Sequence, residues 1–585
     1  MRLAFLDWGI IVFYAVFMLA VGLTFSRRAS RSVADFFVSG RRLAWWVAGT
    51  SMVATTFAAD TPLFVTSLIR CEGVAGNWVW FNFAISHALT TFFLARLWRR
   101  ARVVTDVEFC EMRYSGPEGR ALRCFKGAFF AFVTNSVVLG WVLLAMATIC
   151  EEVMGLPKLQ TIAAGVVLAT LYATVSGLWG VVATDLIQFA AAMVGSVVLM
   201  IKAFDAVGGI GGFSNVLPTL LAENGRAAME ILPDLTGRPA AAAQAAGSTL
   251  GGFLTAVGVQ WWSWKYSDGG GVLIQRMSAT RDERHSQLAM LWFTFANYVL
   301  RPWPWFMVAL ISLYIFPELT DHKAAYPRMM AEFLGPGWLG LMMAAILAAF
   351  MSTVDTHINL ASAYFVNDVY RRFLRPGAGE GHYVLVARLA TLMFLVIGGL
   401  IALFNTSIVR LFVFMLQLVA GAGIVFLVRW FWWRINAWSE ISAMLSSLVV
   451  ATLLNLCNRH HWIGRPFAAW EIFLINVGLS AAVWLTVTFC TRPTDLGHLR
   501  AFVARVRPPG YWGPVAAGGA EPLLRGKRLE GFILTVVLVY AGLIGLGHLL
   551  YGKIASGTAL CLAGAAATVR VLFILRKERN GPLQT

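Results

Sequence analysis

The chain has 585 residues, of which 58% are hydrophobic and only 13% charged, and its mean hydropathy of +0.70 lies far outside the range of water-soluble domains. Its formal charge of +17 would suit nucleic acid, but the Lys and Arg residues sit in loops between apolar stretches, where membrane topology accounts for them. The seven cysteines, at 71, 110, 124, 150, 457, 490 and 561, show no paired spacing that would give a disulfide or zinc framework, so they read as small buried hydrophobes.

Apolar windows about 20 residues long recur along the whole chain, enough for about fifteen helical spans. They are predicted at 5–25, 43–69, 77–97, 125–150, 159–179, 181–203, 247–266, 288–317, 337–368, 383–404, 408–430, 437–456, 468–490, 530–550 and 555–575. These runs are continuous, whereas a transmembrane barrel would show short alternating segments, so the fold class is an all-α polytopic membrane bundle. Met1–Phe25 reads as a first span because it carries a single basic residue and Asp7, and no small-residue cleavage site follows.

With the N-terminus outside, the predicted cytoplasmic loops hold Arg27, Arg28, Arg31, Arg41 and Arg42, then Arg96, Arg99, Arg100 and Arg102, then Arg371, Arg372 and Arg375, and finally Arg576, Lys577 and Arg579. The opposite loops are sparse in basic residues, which orients the C-terminus to the cytoplasm of a bacterial-type inner (plasma) membrane. The predicted parts are a first span and cytoplasmic loop (1–42), helices over 43–203, an extracytoplasmic loop (204–246), and helices over 247–430. Peripheral helices (431–490), a cytoplasmic linker (491–528) and a terminal helix pair (529–585) complete the chain. No soluble module fits in what remains, so the bundle itself must carry the function.

Two spans carry polarity that costs free energy at membrane depth. In Gly337–Tyr370 the middle holds Ser352, Thr353, Asp355, Thr356, His357 and Asn359, and an intramembrane Asp is by default a functional residue. Ala349, Ser352 and Thr353 stand at i, i+3 and i+4, so one carbonyl and two hydroxyls can converge on one helix face. Three neutral oxygens suit a small hard cation such as Na⁺. In Trp45–Leu68, Thr50 to Thr56 are followed by Asp60, Thr61 and Pro62, and the proline disfavours helical geometry at Thr61 and frees carbonyls about one turn back. Discontinuous midplane helices of this kind are where secondary transporters bind ions and solutes. An intramembrane enzyme built on Asp355 and His357 is disfavoured, because residues two apart lie on different helix faces. A channel would ask for repeated pore-lining rings, which are not seen in the sequence.

Three stretches resemble the sodium:solute symporter family: the broken segment Thr50–Thr61, the run Tyr172-Ala-Thr-Val-Ser-Gly-Leu-Trp-Gly-Val-Val-Ala-Thr-Asp185-Leu-Ile-Gln188, and Ala348-Ala-Phe-Met-Ser-Thr-Val-Asp355. Gln275-Arg276 followed by Arg281-Asp282-Glu283 adds a fourth match, and the likeness runs from about Leu6 to Cys490. The resemblance implies a LeuT-type fold of two inverted five-helix repeats, at 43–203 and 247–430, with about thirteen core helices plus the two C-terminal ones. It implies a Na⁺ site formed by the carbonyls of Ala54 and Phe57 with the carbonyl of Ala349 and the hydroxyls of Ser352 and Thr353. Asp185 falls where some members hold a second ion, and Asp355 adds a carboxylate that not all members have. For Asp185 the other reading is a carboxylate at a helix start, where it suits the macrodipole.

By analogy the solute contacts come from Asp60 and Thr61, from Trp80 and Asn82, and from Gln260, Trp261 and Trp264 on the seventh span. Gly269-Gly-Gly271 interrupts that span where characterised carriers have larger residues. Trp45, Trp46, Trp303 and Trp305 are expected in the interfacial belt. An aromatic platform with amide hydrogen-bonders favours a sugar or sugar derivative, and would fit an amino acid or a carboxylate almost as well. The implied function is Na⁺-coupled solute symport by alternating access, with proton coupling the alternative given the carboxylates Asp60, Asp185 and Asp355. The expected partners are a small-molecule solute and the lipid bilayer, with no nucleic acid and no obligate protein partner.

Overall fold

A computed structural model describes residues 3–29, 41–103, 105–172, 178–233, 249–462, 464–516 and 526–577, and among these the regular structure is helical, with only three isolated β-bridges. In chain order the principal helices are α1 (Phe5–Ala29), α2 (Trp45–Thr55), α3 (Asp60–Glu72), α4 (Val74–Ala101), α5 (Gly116–Met154), α6 (Lys158–Tyr172) and α7 (Leu178–Ala206). They continue as α8 (250–263), α9 (Gly270–Ala279), α10 (Glu283–Ile315), α11 (Trp338–Leu374), α12 (Glu380–Phe404), α13 (Ile408–Leu418) and α14 (Gly423–Val428). The chain closes with α15 (Ala437–His460), α16 (Ala469–Cys490), α17 (Gly526–Leu550) and α18 (Ile554–Lys577).

Each of the fifteen predicted spans falls on one of these helices or on a pair of half-helices. Residues 173–177 of the Tyr172–Gln188 motif, residues 234–248 of the outer loop, 517–525 of the linker, and Arg31 and Arg579 lie outside the described residues. In α4, α5, α10 and α11 between 78% and 89% of the apolar window is buried, against 28% to 39% in α7, α12 and α15 to α18. The first four therefore form the inside of the bundle, and the others present apolar faces outward, as lipid contact requires.

Three chain breaks shape the interior. Between α2 and α3 the axis turns by 60°. Thr56 Oγ1 donates back to the carbonyls of Met52 and Val53, which ends α2, and Pro62 sits in the first turn of α3, where its missing N–H is not needed. Between α8 and α9 the helix opens over 264–269, and Gly269 (φ 118°) and Gly270 (φ 70°) take conformations that side chains disfavour. The third break, between α13 and α14, is not marked in the hydropathy. Its turn is held by Ser447 Oγ, which accepts from the Gly421 N–H at 3.0 Å and donates to the Leu418 carbonyl at 3.0 Å. The second and third breaks lock together: Ser267 Oγ donates to the Gly423 carbonyl at 2.8 Å, and a Cβ on Gly423 would stand 2.2 Å from the backbone of Ser263 and Trp264.

Asp7 holds α1 to the head of α11. Its Oδ1 accepts from the N–H groups of Gly337 (2.7 Å) and Gly340 (2.8 Å), so it caps the helix that carries Ser352 and Thr353.

Candidate ion and solute site

A cavity of about 220 Å³ opens where the α2/α3 break meets α4, α5, α9, α10, α11 and α13. Its walls are largely aromatic. Trp80 stacks on Tyr298 with centroids 5.7 Å apart, and Phe83 on Trp264 at 3.9 Å. Four polar side-chain atoms of lining residues are buried and have no hydrogen-bond partner among the described residues: Asp60 Oδ1, Trp264 Nε1, Arg301 Nε and Thr353 Oγ1. A polar group kept dry without a partner costs about 1–3 kcal/mol, a cost that water or a ligand in the cavity would relieve at each of the four.

Arg301 is a site residue that the sequence reading misses. It lies on α10 within an apolar stretch, and an intramembrane arginine is itself a functional signal. Its Nη1 donates to the Val53 carbonyl (3.2 Å) and to Thr56 Oγ1 (3.1 Å), both at the end of α2, and its guanidinium rests 5.4 Å above the Trp305 ring. Nε has no hydrogen-bond partner among the described residues. Asn297 and Tyr298, one turn earlier, also line the cavity; Tyr298 Oη pairs with His87 Nδ1 at 2.9 Å. Trp303 and Trp305, expected in the interfacial belt, are instead fully packed inside, with the Trp305 N–H donating to Ser196 Oγ at 3.1 Å and its ring stacked on Phe57. Of the four belt candidates Trp46 is exposed and Trp45 half-buried.

One of the candidate ion-binding residues, Ser352, is tied directly to Asp185. Ser51 Oγ on α2 donates to its Oδ2 at 2.6 Å, Thr55 Oγ1 reaches the same oxygen at 3.4 Å, and Ser352 Oγ on α11 donates to Oδ1 at 2.9 Å. Asp185 therefore ties the broken helix to the helix of Ala349, Ser352 and Thr353. It stands two turns inside α7, with no acidic residue in that helix's first turn, so the helix-start reading does not apply. Arg276 on α9 donates Nη2 to Thr55 Oγ1 at 3.0 Å and lies within electrostatic range of both Asp185 and Asp355. Ala54, Phe57 and Ala349 are buried, and the Ala54 carbonyl accepts from the Phe57 N–H at 3.0 Å. Thr353 lines the cavity, and its Oγ1 is buried with no hydrogen-bond partner among the described residues.

Other predicted residues divide. Asp60, Thr61, Trp80 and Trp264 line the cavity. Asn82, Gln260 and Trp261 do not. Asn82 Nδ2 donates back to the carbonyls of Trp78 and Val79 within its own helix, and Gln260 Nε2 donates to the Val79 carbonyl at 2.7 Å beside a separate, minute void. Trp261 is half-buried and outside the lining. Asp355 accepts from Asn359 Nδ2 at 3.0 Å and also stays off the cavity wall.

Residues 36–448 match the profile of the sodium:solute symporter family. The chain belongs to that family. Among curated relatives of this symporter, the sodium/glucose cotransporter of Vibrio parahaemolyticus is 26% identical over 477 residues, covering 77% of this chain and 85% of the relative. The sodium/mannose cotransporter of Bos taurus is 25% identical, with 77% and 78% covered, and the human sodium/myo-inositol cotransporter 2 is 24% identical, with 76% and 69% covered. A solved Na⁺-coupled sialic acid symporter in a substrate-bound outward-open state superposes with a TM-score of 0.64 at 20% identity, over 84% of this chain and 99% of that one. The symporter has the LeuT-type fold, its coupling ion is Na⁺, and it is a multi-pass membrane protein.

Proposed function

We propose that the protein carries a compact polyhydroxylated solute, a sugar or sugar derivative, in the 220 Å³ cavity between α3, α4, α10 and α11, driven by Na⁺ bound between the α2/α3 break and α11. The observation that carries this reading is the set of unpartnered polar atoms on an aromatic wall. The volume lies below the roughly 300–1,000 Å³ of drug-sized pockets and suits a solute of monosaccharide size or less. Asp60 accepts from solute hydroxyls, Arg301 and the Trp264 N–H donate to solute oxygens, and Trp80 and Trp264 stack on the apolar ring face. The names of the relatives, sodium/glucose, sodium/mannose and sodium/myo-inositol cotransporters, support this class of solute.

On this reading Na⁺ is held by the carbonyls of Ala54, Phe57 and Ala349 and the hydroxyls of Ser352 and Thr353, with Asp185 gathering both halves. Because the ligands come from two elements that a change of access separates, Na⁺ binds one conformation better than the other, which is what coupling demands. Asp355, bound by Asn359 and facing Arg276, neutralises that arginine and is not itself an ion ligand. The basic loops support an N-terminus outside and a C-terminus in the cytoplasm. Uptake into proteoliposomes of a panel of hexoses, cyclitols, sugar acids and amino acids, with sodium, proton or no gradient, tests the reading. It predicts accumulation of a polyhydroxylated solute under the sodium gradient alone; accumulation only of amino acids, or only under the proton gradient, refutes it.

A further inference from the structure

Far from the cavity, at the other end of α3, three side chains with metal-ligand chemistry meet from distant parts of the chain. Cys71 lies buried in the last turn of α3 with a free thiol; Glu223 stands on the turn that follows Gly209–Val216; His322 sits on the connection between α10 and Ala325–Phe333. Their ligand atoms all lie within 4.8 Å of one another. His322 Nε2 is 3.0 Å from Glu223 Oε2.

The backbone around them is held before any ion arrives. The N–H groups of Glu223 and Asn224 donate to the carbonyls of Arg70 (2.8 Å) and Cys71 (3.2 Å), and the Val74 N–H donates to the Ala228 carbonyl at 2.9 Å, so the Glu223 turn is docked on the end of α3. Arg70 pins the third element: Nη1 donates to the Ser312 carbonyl at 2.6 Å and Nη2 to the carbonyls of Phe316 (2.8 Å) and Leu319 (3.2 Å). Thiolate, imidazole and carboxylate together match a borderline divalent ion of the Zn²⁺ class rather than Mg²⁺ or Ca²⁺, which take oxygen ligands. Three protein ligands leave a tetrahedral ion one position for water, and the half-exposed Glu223 carboxylate leaves an entry path.

We propose that Cys71, Glu223 and His322 form a binding site for a Zn²⁺-class ion that clamps the far end of α3 to the two outer connections and thereby slows transport. Binding breaks the Cys71 S–H bond, forms the metal–sulfur bond and releases one proton to solvent. The imidazole proton moves from Nε2 to Nδ1, and the 3.3 Å contact from Arg70 Nε to Nδ1, the longest that Arg70 makes, is given up while its Nη bonds remain. The opposite end of the same helix carries Asp60, Thr61 and Phe64 on the cavity wall, so a clamp at Cys71 acts on the arm that bounds the solute. Cysteine spacing conceals the site, because its ligands are contributed from residues 71, 223 and 322.

The test uses the full-length protein and ZnCl₂. Calorimetric titration in detergent is expected to show one site, weakened at least about tenfold in each of Cys71→Ser, Glu223→Gln and His322→Gln. Zn²⁺ is expected to slow maleimide labelling of Cys71, measured against Cys71→Ser, and to slow sodium-driven uptake in the parent but not in the variants. Variants that transport normally without Zn²⁺ show that the fold is intact. Equal binding in parent and variants, or no binding at millimolar Zn²⁺, overturns the site; binding without any effect on uptake overturns the clamp. Uptake that is absent in every protein, with Zn²⁺ binding intact, refutes the transport reading and leaves the clamp without an object, which overturns that half of the proposal.

Discussion

Replacing Thr353 by Val separates an ion ligand from a structural hydroxyl, because the two roles move stability and sodium affinity in different directions. The side chain is 3% exposed and its Oγ1 has no partner among the described residues. Without an ion that hydroxyl is a buried unsatisfied group, whose desolvation costs about 1–3 kcal/mol. Valine has nearly the same shape and removes the penalty, so the sodium-free protein is expected to be at least as stable as the parent. With Na⁺ the variant lacks one oxygen ligand; taking an oxygen bonded to a charge as worth about 1.5–3 kcal/mol, the sodium concentration for half-maximal uptake rises about 10- to 100-fold. The assay is sodium-activated uptake paired with thermal inactivation with and without Na⁺. Ser352→Ala is the contrast: it breaks the 2.9 Å bond to Asp185 and is expected to lower stability whether or not Na⁺ is present. Unchanged sodium activation in Thr353→Val, or a loss of sodium-free stability, refutes the reasoning.

Asp185→Asn should weaken sodium activation at least about tenfold and reduce sodium-free stability, since an amide can accept from fewer of the hydroxyls of Ser51, Thr55 and Ser352; unaltered sodium dependence would remove Asp185 from the ion site. Arg301→Lys keeps the charge but not the planar fork, so half-saturating solute is expected to rise at least about tenfold while sodium activation measured at saturating solute is retained, which concentration series in both directions would reveal. Gly423→Ala puts a methyl group 2.2 Å from the Ser263 backbone and should abolish folded protein in size-exclusion profiles, whereas Gly464→Ala, in open space, should not. Burial alone would push the Asp282 carboxyl up, but the His285 N–H and ring and the Arg281 guanidinium hold it below the ordinary carboxylate range. Its capping of α10 is therefore present at neutral pH and fades as pH falls through that lowered value; amide exchange at 283–286 should accelerate in acid, and less so in Asp282→Asn.

The spans were legible because an apolar window long enough to cross a bilayer is seldom anything but a span, and the first break was legible because Pro62 and Asp60 violate the rule that such a window obeys. The α8/α9 break announced itself through Gly269 to Gly271. The break between α13 and α14 carried no such mark. Val419-Ala-Gly-Ala-Gly423 is small but still apolar, and what opens the helix there is Ser447, from the following helix α15, supplying hydrogen bonds that the backbone would otherwise find in itself. A break stabilised from outside its own segment cannot be read from local propensity.

The site shows the same division. Ser352 and Thr353 were found by helical spacing, a local property, and Asp185 by motif. Asn82 and Gln260 enter by analogy, as amides beside an aromatic platform, yet Asn82 Nδ2 is taken by the carbonyls of Trp78 and Val79 and Gln260 Nε2 by that of Val79, so these donors are spent on packing the helices that frame the cavity. Arg301 escaped because Trp303 and Trp305 beside it suggested a membrane interface, and aromatic residues in an interior stack look the same in one dimension as those in a belt. The burial of those two tryptophans, with Phe57 stacked on Trp305, carries Arg301 to bilayer depth, where a cation must have a counterpart. Asp60 supplies an opposite charge within electrostatic range, while the end of α2 takes Nη1 in hydrogen bonds. Arg301 Nε has no hydrogen-bond partner among the described residues, so on the proposed reading the residue least visible in the sequence is the one that would donate to a solute oxygen, within electrostatic range of Asp60.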